Sequence, residues 1–123
     1  MGLVLEDTGK LDAAIRQYRE ALRISPNHTA AHNNLGAALA GKGDLDAAIH
    51  EYREALRLDP NYSKAHYNLG LDLASKGNLD AAIKEFQETL RICPDDANAL
   101  NNLRLILARK RVQNGTRQEG GDS

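Results

Sequence analysis

The sequence predicts an all-α fold in which antiparallel helix pairs stack one after another, and three observations carry that prediction. Residues recur at a spacing of 34: Pro26, Pro60 and Pro94; Gly9, Gly43 and Gly77; and the run Leu-Asp-Ala-Ala-Ile, which starts at Leu11, Leu45 and Leu79. A period of roughly 20–50 residues marks units that cannot bury their apolar faces alone and bury them by stacking. Within a unit the apolar residues fall at helical spacing, Ala31, Leu35, Ala38 and Leu39 and then Leu45, Ala48, Ile49, Tyr52, Ala55 and Leu56, one stripe per helix. Helix breakers separate the stripes.

The unit 29–62 shows the design most fully. A first helix is predicted over about 29–42, ended by Gly41-Lys42-Gly43, where glycine supplies the left-handed residue that closes a helix. Asp44 is placed to cap the next helix by accepting a backbone N–H. That helix is predicted over 45–58 and stops at Asp59-Pro60-Asn61, because the residue before proline avoids helical angles. The unit 63–96 repeats the scheme, with Gly77-Asn78 as its inner turn and Cys93-Pro94-Asp95 as its exit. Loops this short make each pair antiparallel. Before these lies a truncated unit, 1–28, whose second helix is expected from Leu11 to Ile24. After them a single capping helix is predicted over 97–112, carrying Leu100, Leu103 and Leu107. The stretch 113–123 is polar and glycine-rich and is expected to be a disordered tail.

Small residues, Gly36, Gly70, Ala48, Ala82 and Ala55, fall where two helices must approach closely, and Tyr52 and Phe86 fill the space towards the following unit. Small against large packs a core without voids.

These residues resemble the tetratricopeptide repeat (TPR), a helix–turn–helix unit of 34 residues. The Leu-Gly pair is Leu35-Gly36 and Leu69-Gly70; the inner alanine of the second helix is Ala14, Ala48 and Ala82; the aromatic four residues later is Tyr18, Tyr52 and Phe86; the closing proline is Pro26, Pro60 and Pro94. The resemblance covers about 1–112 and implies a right-handed α-α superhelix of TPR helix pairs. It also has departures. His32, His66 and Leu100 stand where a bulky aromatic is usual, and Arg104 replaces the small glycine of the final helix. Asp72 stands where a small apolar residue is usual; an ion pair with Arg104 is one account of it.

Composition narrows the function. The chain has 123 residues, 41% hydrophobic and 27% charged, with sixteen basic and seventeen acidic residues and a net charge of −1. No large single-sign field follows, and with four Tyr, one Phe and no Trp there are few platforms for stacking bases, so no nucleic-acid partner is expected. No apolar run reaches the ~20 residues of a membrane span, and no basic leader precedes one, so the expectation is a cytoplasmic protein with no membrane partner. Cys93 is the only cysteine, which excludes an internal disulfide. His28 and His32 have a metal-like spacing but lack a third ligand, and packing is the better account of His32 and His66. No catalytic constellation, phosphate loop or zinc motif is present. The chain is read as a non-enzyme with no cofactor and no metal.

The resemblance places the first helices on a concave face where extended peptides bind, and implies a protein- or peptide-binding scaffold. Asn34, Asn68 and Asn102 again lie 34 apart. An amide carries a donor and an acceptor, and such a row is similar to the asparagine ladder of O-linked N-acetylglucosamine transferases. A solvated groove that merely tolerates asparagine is the alternative. Asn33, Asn101, Lys64 and Tyr67 are the next candidates, with Leu71 and Leu105 as apolar pockets. The carboxylate clamp of TPR co-chaperones is not reproduced: Asn68 matches it in one register, Asn34 and Lys64 in the other, and its arginine is absent, although a carboxylate needs cations. Two other readings stay open at this point: a homo-oligomer through exposed terminal helices, and a TPR fragment that regulates a separate enzyme domain.

Overall fold

The computed structural model describes residues 2–122, with side chains described for residues 9–114. Six helices follow one another: α1 Gly2–Ile24, α2 Thr29–Gly41, α3 Leu45–Leu58, α4 Ser63–Ser75, α5 Leu79–Ile92 and α6 Ala97–Asp122. No strand occurs among the described residues. Each helix packs on the next, α2 with α3 and α4 with α5 most extensively. In addition α2 touches α4 and α4 touches α6, whereas α1, α3 and α5 make no such contact with one another among the described residues. The first helices therefore converge and the second helices splay, which curves the helical-repeat superhelix and puts α2, α4 and α6 on its concave side.

The turns follow from local chemistry. Gly43 and Gly77 have φ of 89° and 83°, the left-handed region that suits glycine. Around them Asp44 N donates to Leu39 O at 3.0 Å and Asn78 N to Leu73 O at 2.9 Å, so the last carbonyls of α2 and α4 are satisfied. Asp44 Oδ1 accepts from Ala47 N at 3.3 Å and caps α3. His28, noted in sequence only for its spacing to His32, caps α2 by accepting from Ala31 N on Nδ1 at 3.1 Å, and Asp96 does the same for α6 through Ala99 N at 3.0 Å.

The first unit departs from expectation. The break before Leu11 is not formed: one helix runs from Gly2 to Ile24, and Gly9 lies inside it without a positive φ. At the position of the capping Asp44 and its counterpart Asn78, this unit has Lys10, which offers no acceptor to a freed N–H. At the other end α6 continues to Asp122, past the boundary at 112 where a polar tail was expected. That stretch has no proline; Gly115, Gly120 and Gly121 lower helix propensity by about 1 kcal/mol each but remove no backbone donor.

The core is the repeated small-against-large contact. Tyr52 and Phe86 are fully enclosed, together with Ala48, Ala55 and Ala82, and each ring's burial contributes roughly 1.5–3 kcal/mol. Gly36 makes room for Tyr52: a Cβ there would sit 2.6 Å from the ring, and at Gly70 it would sit 2.9 Å from Phe86. Consecutive units are also tied by one recurring ion pair, Lys42–Asp12, Lys76–Asp46 and Lys110–Asp80. The third instance shows that α6 docks as the first helix of a further unit.

Two expectations about polar residues are corrected. Asp72 does not pair with Arg104, which is exposed. It lies 8% exposed opposite the Tyr52 hydroxyl, with its Oδ2 buried and unpartnered. Burial raises the Asp72 carboxyl above its ordinary value, and burial, then Asp72, raises Tyr52. His32 and His66 are not packing residues alone. Each bridges its second helix and the preceding loop: His32 Nδ1 lies 2.8 Å from Glu51 Oε1 and Nε2 lies 2.9 Å from Pro26 O. His66 repeats this with Glu85 and Pro60 O, both at 2.8 Å.

Candidate functional site

The concave side of α4 carries Lys64, Tyr67, Asn68, Leu71 and Ser75, spaced three or four apart and so aligned on one face. Two clefts open along it. The first, about 260 Å³, lies among Asn33, Ser63, Lys64, Tyr67, Asn68, Asp96 and Asn98. The second, about 380 Å³, lies between α4 and α6 among Leu71, Ala74, Phe86, Asn102, Leu105, Ile106 and the exposed Arg109. The first is lined mostly by polar side chains, with the Tyr67 ring among them; the second is an apolar hollow with a polar rim.

The sequence candidates divide accordingly. Asn33, Lys64, Tyr67 and Asn68 come together in the first cleft, and Leu71, Asn102 and Leu105 in the second. Asn34 and Asn101 are exposed and line neither. Leu105 is 64% exposed, a large apolar side chain open to solvent beside the hollow. Ser63, Asp96, Ala74, Ser75, Phe86, Ile106 and Arg109 also line the clefts and were not among the candidates. Phe86 reads as core in sequence, and is; Ile106, which sequence reading did not single out, is also buried, and both reach the second cleft. No signal in sequence marks Arg109 as groove-facing.

The amides are joined laterally. Asn68 Nδ2 donates to Asn33 Oδ1 at 3.1 Å, and Asn33 is 4% exposed. One unit along, Asn102 Nδ2 donates to the Tyr67 hydroxyl at 3.1 Å and to Asn98 O at 2.9 Å. The Tyr67 ring stands edge-on to Phe86, with centroids 5.8 Å apart and planes at 65°, which braces the side chain that lines the first cleft. Neighbouring first helices are thus linked by polar bonds across the groove floor. The arrangement offers hydrogen-bonding groups, an apolar hollow and two cations, Lys64 and Arg109, for which no ion pair occurs among the described residues. No cluster of three or more metal-ligating side chains occurs among the described residues, and no described helix is long and apolar enough to cross a membrane.

Comparison with known families gives one result: the sequence model described as tetratricopeptide repeat matches residues 1–63 and 38–97. A search of curated proteins returns no match. Among solved structures, the chain is similar to the first TPR of Spaghetti (RPAP3) bound to the HSP90 peptide SRMEEVD, at 25% identity and a TM-score of 0.82, over 84% of this chain and 82% of that one. It is similar to MamA at 27% identity and a TM-score of 0.78, over 83% of this chain and 60% of that one. It is also similar to a Thermobaculum terrenum O-GlcNAc transferase at 29% identity and a TM-score of 0.76, over 83% of this chain but 20% of the transferase. The chain therefore spans only part of the last two.

Proposed function

Since this chain belongs to the tetratricopeptide repeat family, we propose that it is a non-catalytic module that binds an extended segment of a partner protein along α2, α4 and α6. The observation that carries this reading is the pair of adjoining clefts on α4, one polar and one apolar. Concave sites that combine an apolar hollow with a few convergent polar groups are the usual form of a binding site. The similar RPAP3 domain, whose structure contains an HSP90 peptide, supports peptide binding as the mode. It does not extend to that ligand, since Lys64 is the one clamp cation matched in sequence and the clamp's arginine is absent.

Peptides selected on the protein from a random-sequence display library supply the ligand for a test. Asn68→Ala and Lys64→Ala are each expected to weaken binding by about tenfold, the scale of one polar contact; Lys64→Ala leaves the thermal transition unchanged, whereas Asn68→Ala also lowers it, because the buried Asn33 Oδ1 loses its donor. Arg19→Ala, exposed on α1, is expected to bind as the parent does. Equal binding by all three variants, or no peptide selected, contradicts the proposal.

A second reading, association between copies through α6, is favoured by the exposure of Leu107 and Val112. Molar mass by light scattering that is independent of concentration removes it; growth with concentration supports it.

A further inference from the structure

Because α6 docks as the first helix of a further unit, its residues have equivalents on the faces that α2 and α4 turn to their own second helices. His32 meets Glu51 there, and His66 meets Glu85. Gly36 and Gly70 leave the gaps that Tyr52 and Phe86 fill, and Leu39 and Leu73 are buried. In α6 these three positions hold Leu100, Arg104 and Leu107, spaced four and three apart and so on one face. No second helix of this chain covers that face. Arg111 and Val112 stand where Gly77 and Asn78 turn the chain from α4 into α5, and α6 instead runs on to Asp122. Leu100 and Leu107 are left exposed. Arg104 and Arg111 are exposed and enter no ion pair among the described residues. No acidic residue occurs from 97 to 118, so the face is apolar and cationic.

An ordinary second helix of this repeat does not fit there. In the earlier units a single Cβ at the glycine would already sit 2.6 Å from Tyr52 and 2.9 Å from Phe86, and Arg104 puts a whole side chain in that place. The glutamate that elsewhere meets histidine would meet Leu100 instead. Both exchanges invert the contact: polar becomes apolar at one position, and the ring gap becomes a cation at the next. We infer that this face of α6 receives an acidic amphipathic helix of another protein, packed antiparallel as α3 packs on α2. Its apolar residue lies on Leu100, where Glu51 meets His32, and the carboxylate that follows lies on Arg104, where Tyr52 fills the gap at Gly36. A guanidinium pairs with a carboxylate through two parallel hydrogen bonds, and the flanking leucines lose their contact with water. A further acidic residue nearer the start of the helix lies beside Arg111. The pattern recognised is an apolar residue followed directly by an acidic one, and the surface is separate from the two clefts of α4.

Two synthetic peptides with the sequence of α3 serve as probes, each held helical by a staple that replaces the exposed Arg53 and Arg57. One carries Glu51→Leu and Tyr52→Glu; the other keeps Glu51 and Tyr52. Their affinities for the full chain are measured by calorimetry. The exchanged peptide is expected to bind the parent about tenfold more tightly than the other, and to lose about tenfold on Arg104→Glu, where a charge-assisted contact becomes a repulsion. Arg104 is exposed, so the thermal transition of Arg104→Glu is expected to stay in place. Arg104→Gly reopens the gap and is expected to reverse the preference, making the peptide with Tyr52 the tighter. The inference is overturned if the exchanged peptide does not bind, if the two peptides bind the parent equally, or if Arg104→Glu binds the exchanged peptide as the parent does. It is also overturned if the parent binds anionic vesicles, or grows in molar mass with concentration, and Arg104→Glu does not, since the face then belongs to a membrane surface or to a second copy. None of these outcomes bears on the clefts of α4.

Discussion

A single atom decides how closely the helices of one unit approach. The Cβ that alanine would add at Gly36 falls 2.6 Å from Tyr52 Cε1 and 3.1 Å from the Ala48 carbonyl oxygen. The ring is enclosed and the carbonyl is helix backbone, so neither yields easily. Gly36→Ala is expected to destabilise the protein by roughly 1–3 kcal/mol, read from urea unfolding; an unchanged midpoint would show that α2 and α3 can separate without loss. Asp72 is the opposite case, a residue whose natural form opposes folding. Burial raises its carboxyl above the ordinary 3.8 in the folded state. Below pH 3.8 it is protonated folded or unfolded and contributes no penalty; as pH rises through the raised folded value, the unfolded state ionises more readily and stability falls. Asp72→Asn is therefore expected to gain on the order of 1 kcal/mol at neutral pH, and the gain is expected to shrink as pH falls towards 3.8. A gain that is independent of pH would contradict the buried charge. Neither detail of Asp72 was legible in sequence: the repeat marked its position as unusual, but not that it faces Tyr52 across a helix pair.

Equivalent positions in the repeat do not give equivalent elements. Gly9, Gly43 and Gly77 share one register, yet Gly43 and Gly77 close helices at positive φ while Gly9 lies within α1. Gly43→Ala is expected to cost about 1–2 kcal/mol, the strain of a side chain in the left-handed region. Gly9→Ala, with no atom within 4 Å of the new Cβ, is expected to gain up to about 1 kcal/mol from helix propensity. The sign difference is read from paired thermal melts; destabilisation by both would mean that Gly9 forms the turn after all. The clue was present in Lys10, which stands where Asp44 and Asn78 stand, but a repeated glycine outweighs a missing cap when a period is read. The groove shows a related limit. A spacing of 34 aligns Asn34, Asn68 and Asn102 as equivalents, whereas the hydrogen bonds join Asn33 to Asn68 and Tyr67 to Asn102. Periodicity identifies positions that share an environment; the stagger between neighbouring helices decides which positions touch, and it shifts the partner by one residue.

At the scale of the whole molecule, the fold was legible because stacking repeats the same interface, and reading one unit reads the others. What followed less directly was how firmly α6 belongs to the stack. Ile106 is 4% exposed and Ala99 fully buried, and Lys110 makes the same ion pair with Asp80 that Lys76 makes with Asp46. Ile106→Ala is accordingly expected to lower the stability of the single unfolding transition by roughly 2–5 kcal/mol. If α6 melted alone ahead of the rest, the main transition would stay in place. The proposed partner site is the concave face on which α2, α4 and α6 converge, and its most direct measurement is NMR of the isotope-labelled protein titrated with a peptide selected on it. The account predicts that the side-chain amide signals of Asn33, Asn68 and Asn102 shift together with the backbone of α4 and α6, and that those of α3 stay in place. Shifts centred on α3 and the outer side of α5 would contradict it.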